Sequence, residues 1–73
     1  MKYARKFLTF RIRHGLTQRQ LALALGLTIR AVKYIEAGNR EPRISTLEKF
    51  DRLVENYRLE RLNAGRLMSM RLR

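Results

Sequence analysis

Leu16-Thr17-Gln18-Arg19-Gln20-Leu21 carries the clearest local instruction in this 73-residue chain. Thr17 bears the side-chain oxygen that caps free N–H groups at a helix start, and Gln20, three positions on, can return a hydrogen bond to the Thr17 backbone. Leu16 and Leu21 sit where an apolar staple closes across such a cap. A helix is therefore expected from Thr17 through Leu21, Ala22 and Leu25 to Gly26. At about eight residues it is too short to be stable alone. After Gly26 the pattern returns: Thr28 is a second N-cap, Leu27 can staple to Val32, and another helix is expected to about Ala37. Two capped helices joined by a short glycine-containing turn make an αα corner.

Working outward, Tyr3, Phe7, Leu8 and Phe10 recur at helical spacing with basic residues between them, which predicts an amphipathic helix over Tyr3–Arg13, ended by His14-Gly15. Downstream, Gly38-Asn39-Arg40-Glu41-Pro42-Arg43 holds the chain's single proline and reads as a loop. Ser45-Thr46-Leu47-Glu48 has the form of a further capping box, opening a fourth helix with Leu47, Phe50, Leu53 and Val54 on one face. Tyr57, Leu59 and Leu62 read as out of phase with that stripe, so the helix is expected to bend, extend or restart after Glu55. Past Ala64-Gly65, Met68, Met70 and Leu72 alternate with Ser69, Arg71 and Arg73, the two-residue period of a strand. A lone strand needs a partner ladder, supplied by the same strand of a second subunit or by an extended piece near the N-terminus; the alternative is a frayed basic tail. The expectation is an all-α bundle of four to five short helices with a short C-terminal β-strand used in dimerisation. Residues 1–54 form the binding domain, and residues 55–73 a dimerisation segment built on Leu59, Leu62, Met68, Met70 and Leu72.

Composition narrows the partners. Seventeen Lys and Arg against six Asp and Glu give a net charge of +11. That exceeds the charge of about 2 to 8 that solubility asks of a small domain, and it draws polyanions: nucleic acid, an anionic membrane or an acidic protein. The chain has no cysteine, which excludes disulfides and thiolate metal sites. Its longest uncharged apolar run, Leu21 to Ile29, falls far below the roughly 18 residues of a bilayer span. Met1 to Phe10 lacks the apolar stretch and cleavage site of a signal peptide, so a cytoplasmic location is expected, nucleoid-associated when bound to DNA. A chain this short buries only about 60% of its unfolded surface, which leaves room for help from a partner subunit.

The third helix divides its residues by angle. At about 100° per residue with Val32 as zero, Ile35 falls at about −60°, Thr28 at about −40° and Glu36 at about +40°, toward the body of the domain. Lys33, Arg30 and Tyr34 fan out opposite, with Ile29 on the border, forming a face suited to a major groove. A guanidinium pairs bidentately with the O6 and N7 of guanine, an ammonium reaches guanine or phosphate, and an isoleucine can touch a thymine methyl. Gln18 and Arg19 occupy the first turn of the second helix, where free N–H groups and the helix dipole favour phosphate. Asn39, Arg40 and Arg43 in the following loop are positioned to grip the same strand.

Arg11-Ile12-Arg13-His14-Gly15-Leu16-Thr17-Gln18-Arg19-Gln20-Leu21-Ala22, then Leu25-Gly26-Leu27-Thr28, then Val32-Lys33-Tyr34-Ile35-Glu36-Ala37-Gly38 together resemble the XRE family of helix-turn-helix regulators, which includes lambda-type repressors and Cro. The resemblance covers roughly residues 4 to 54. It implies five short helices, the third in the major groove, and dimers on inverted-repeat operators in double-stranded DNA. By position it makes Gln18 a phosphate contact, Ile29, Arg30, Lys33 and Tyr34 base-facing, and Arg11–Glu36 an internal salt bridge. Two features depart from the family: its usual Leu-Gly-Val turn into a fifth helix is replaced by Glu55-Asn56-Tyr57-Arg58-Leu59-Glu60-Arg61-Leu62, and the alternating end resembles HipB-type antitoxins.

The expected function is a sequence-specific, dimeric transcriptional repressor that autoregulates its operon. Its antitoxin version would add a toxin protein as partner; the alternatives are a phage-type repressor without a toxin and a non-specific basic nucleic-acid-binding protein. Against single-strand or RNA recognition, the aromatics Tyr3, Phe7, Phe10, Phe50 and Tyr57 stand at helical spacings suited to a core rather than on strands where bases stack. Catalysis is not expected: His14 is the sole histidine, beside a helix-ending glycine, and Ser45 and Ser69 have no identifiable base. No cofactor or metal is implied, and Met68, Met70 and Leu72 are too few to anchor a membrane helix.

Overall fold

The computed structural model describes the backbone of residues 2–71 and the side chains of residues 3–62. Four helices follow one another: α1 (Lys2–Arg13), α2 (Gln18–Leu25), α3 (Ile29–Glu36) and α4 (Ile44–Arg71). The first three end in the same way. At Gly26 the backbone turns left-handed, with φ 67° and ψ 31°, a conformation that costs an L side chain roughly 1–2 kcal/mol. The Leu27 N–H then reaches back to the Ala22 carbonyl at 2.8 Å and the Gly26 N–H to the Leu23 carbonyl at 3.3 Å. Gly15 and Gly38 close α1 and α3 with the equivalent bonds, Leu16 N–H to Arg11 and Asn39 N–H to Tyr34.

Each stop is also a start. Thr17 Oγ1 accepts from the Gln20 N–H at 3.0 Å while Gln20 Oε1 accepts from the Thr17 N–H at 2.8 Å, a complete capping box. Thr28 Oγ1 accepts from the Ala31 N–H at 3.1 Å. Leu16 and Leu27 therefore each close one helix and brace the next, and both are half-buried against the core.

That core takes Phe7 and Phe10 from α1, Leu21, Ala22 and Leu25 from α2, Val32 and Ile35 from α3, and Phe50 from α4. The backbones of α1 and α2 pack closely on α3, and α2 on α4. Between α1 and α4 the contact is aromatic. Phe7 stacks on Phe50 with ring centroids 4.3 Å apart, and Phe10 meets Phe50 and Tyr57 edge to face at 5.4 and 5.3 Å. His14, at the end of α1, lies against both Phe10 and Tyr57. Such pairs add about 0.5–1.5 kcal/mol each beyond the area they bury.

Three expectations are decided beyond residue 43. First, α4 begins at Ile44, so Ser45 lies inside the helix and is exposed rather than capping it. The first bond of α4 runs from the Leu47 N–H to the Arg43 carbonyl, and this start turns Thr46 inward, to 7% exposure. Second, of the courses expected after Glu55 the chain takes extension: α4 runs on as one helix, giving four helices among the described residues, the lower of the four to five expected. Tyr57 falls two turns after Phe50 and returns to the core side. Third, the backbone is helical through Arg71, so the strand expected over Met68 and Met70 is absent; Leu72 lies outside the described residues. Helix formers such as Arg66, Leu67, Met68 and Met70 surround a single Gly65, and a helix satisfies its own backbone groups where a lone strand would not.

Candidate nucleic-acid interface

The two faces of α3 differ sharply. Val32 and Ile35 are 0% and 3% exposed, whereas Ile29 and Tyr34 are 37% and 45% exposed. Arg30 and Lys33 are exposed with them. The four residues expected to read bases thus share one exposed face of a helix seated by the opposite one. Thr28 fixes where that helix begins, and Ile29 and Arg30 occupy its first turn.

The only carboxylate on α3, Glu36, is turned away from this face. Arg11 Nε donates to Glu36 Oε2 at 2.8 Å and Arg11 Nη2 donates to Glu36 Oε1 at 3.0 Å, a two-point ion pair between α1 and α3. The Arg11 and Glu36 side chains are 19% and 5% exposed. The hydrogen bond to Glu36 raises the Arg11 pKa above its already high ordinary value. Arg11 Nη1 also donates to the Leu16 carbonyl at 3.1 Å, joining the ion pair to the α1–α2 turn. No Asp or Glu precedes Glu36 in the chain, so α1 and α2 carry no acidic side chain.

Gln18 is half-buried, and its Nε2 donates to Glu36 Oε1 at 3.2 Å. Residue reading assigned Gln18 to phosphate but missed this bond. An amide nitrogen carries two N–H groups, so one remains to donate outward while the other holds the side chain still. The neighbouring Arg19 is exposed in the first turn of α2. Asn39, Arg40 and Arg43 are all exposed on the loop between α3 and α4. Of the residues expected to serve dimerisation, Leu59 and Leu62 are exposed on α4, and Met68 and Met70 lie on its helical backbone.

A family model described as helix-turn-helix matches residues 9–55, a span that takes in the end of α1, all of α2 and α3, and the start of α4. No curated protein and no solved structure matches the chain.

Proposed function

The chain belongs to the XRE family of helix-turn-helix DNA-binding transcription regulators, and from that premise we propose that it is a dimeric repressor reading an inverted-repeat operator in its own upstream region. The observation that carries the reading is the two-sided α3: an exposed quartet of Ile29, Arg30, Lys33 and Tyr34 backed by the buried Val32 and Ile35. A groove-reading helix needs both sides, one to meet base edges and one to hold its angle. In this reading Arg30 pairs with guanine, Lys33 with guanine or phosphate, and Ile29 with a thymine methyl. Gln18 and Arg19 at the start of α2, with Asn39, Arg40 and Arg43 in the loop after α3, hold the sugar-phosphate strands and set register.

Two copies associate through the exposed Leu59 and the stretch of α4 that continues beyond residue 62. The helical backbone through Arg71 withdraws the strand pairing that suggested an antitoxin, so we carry the repressor without a toxin partner. No helix among the described residues is long and apolar enough to cross a membrane. We place the protein in the cytoplasm, at the nucleoid when bound to DNA.

Footprinting on the upstream region at two salt concentrations, with Arg30→Ala in parallel, tests the proposal. The expected result is a protected inverted repeat that fades at high salt as counterions are released, and that the variant protects weakly. An unprotected upstream region would remove autoregulation, and unchanged binding by the variant would remove Arg30 from recognition. Recovery of a stoichiometric complex with the product of a neighbouring gene would restore the antitoxin reading.

A further inference from the structure

Away from α2 and α3, the diverging α1 and α4 enclose a groove of mixed character. Its floor is apolar, formed by the edges of Phe10 and Phe50 with Val54 and Leu62. Val54 and Leu62 are 38% and 52% exposed, so part of the floor faces solvent. Its rim is cationic: Arg5, Lys6 and Arg13 stand along α1, and Arg58 and Arg61 along α4. Asp51 is the one carboxylate lining it, and Arg58 is engaged by Glu55, whose Oε1 accepts from Nη2 at 2.6 Å. Arg5, Arg13 and Arg61 have no carboxylate partner among the described residues.

We propose that this groove is a docking site for an acidic amphipathic helix of another protein. The floor calls for apolar side chains at helical spacing and the rim for carboxylates on either side of them. From Arg5 to Arg13 the α1 wall runs about 12 Å, and from Phe50 to Leu62 the α4 wall runs about 18 Å, at 1.5 Å per residue, which suits an occupant of two to three turns. A DNA duplex would use the rim and leave the apolar floor uncovered. A second copy would bring its own charge of +11 against a cationic rim. No residue of α2 or α3 lines the groove, so an occupied groove leaves Ile29, Arg30, Lys33 and Tyr34 free for DNA. The inference therefore goes beyond the repressor reading and does not rest on it.

The test titrates a synthetic helical peptide of about fifteen residues, with leucines on one face and glutamates on the other, into the full-length, isotope-labelled chain. A peptide of the same composition with the leucines scattered is the control. Amide shifts are expected at the groove-lining residues of α1 and α4, with the patterned peptide binding at least about tenfold more tightly than the scattered one. Val54→Glu and Arg5→Glu are each expected to weaken it by about tenfold, while Arg30→Ala leaves it unchanged and loses operator binding. Should Val54→Glu lose its helical circular dichroism, Leu62→Glu replaces it. Equal binding of the two peptides, shifts centred on α3, or groove amides that move with protein concentration alone would each overturn the proposal. The last result would assign the groove to a second copy.

Discussion

Arg11 and Glu36 stand twenty-five residues apart and meet through two hydrogen bonds, at 2.8 and 3.0 Å, tying the end of α1 to the last turn of α3. Glu36 Oε1 accepts from Gln18 as well, so one carboxylate links three helices. Glu36→Gln keeps the shape and removes the charge, leaving Arg11 partly buried without its counter-ion. We expect a loss of about 2–4 kcal/mol, near the range for unpairing a buried charge. The double variant Arg11→Met, Glu36→Leu should recover part of it. Chemical denaturation of the wild type, Arg11→Met, Glu36→Leu and the double variant, read as a double-mutant cycle, checks the coupling; additive losses would show the pair to be uncoupled.

The helix joints should be sensitive to single atoms. Thr28→Ala removes the oxygen that accepts from Ala31 and should cost about 1 kcal/mol. Gly26→Ala meets no severe clash, since the nearest atom to its added carbon is Lys49 Nζ at 3.5 Å, so its cost is set by the left-handed backbone, roughly 1–2 kcal/mol. Thermal melts of both variants, with Ala24→Gly in exposed α2 as a reference, measure these losses.

On DNA, Arg30 and Gln18 should separate by the kind of loss they show. Arg30→Ala is expected to weaken operator binding by about 1–3 kcal/mol and to relax preference at one base position in each half-site. Gln18→Ala should weaken binding across all sequences and lower stability slightly, because its amide also holds Glu36. Competition binding against a panel of single-base operator variants distinguishes the two patterns. A sequence-selective loss from Gln18→Ala would reverse the assignment.

A chain cut after residue 54 should be less stable than the full chain, although the family match itself ends at residue 55. Tyr57 lies against Phe10 and His14, and its removal uncovers both rings. Tyr57→Ala alone is expected to cost about 2 kcal/mol from lost apolar burial and ring contacts. Denaturant midpoints of the truncated chain, Tyr57→Ala and Tyr57→Phe decide it, the last being nearly neutral if the ring rather than the hydroxyl matters.

The parts legible in the sequence were those with short-range causes. Thr17 and Thr28 announce helix starts because a cap acts over three residues, and the angle of Glu36 from Val32 turned it inward without knowledge of Arg11. Ser45-Thr46-Leu47-Glu48 had the same local form but lost to packing, since α4 starts at Ile44, two residues before a Ser45 cap would start it, and Thr46 is buried. Tyr57 was misread because its return to the face of Phe50 after seven residues was not credited. The alternation at Met68 and Met70 spans too few residues to separate a strand from a helix rich in good helix formers. The basic groove was invisible for another reason: Arg5 and Arg61 lie far apart in sequence and line one groove only once the aromatic contacts set how α1 and α4 sit together.

Leu16 and Leu27 each belong to two helices at once, and the consequence is mechanical. With every joint residue from Gly15 to Thr17 and from Gly26 to Thr28 committed to a stop, a staple or a cap, no free torsion remains to act as a hinge among α1, α2 and α3. Such a unit meets its target as one stiff key, with the orientation of its reading edge set during folding and little left to be adjusted on contact.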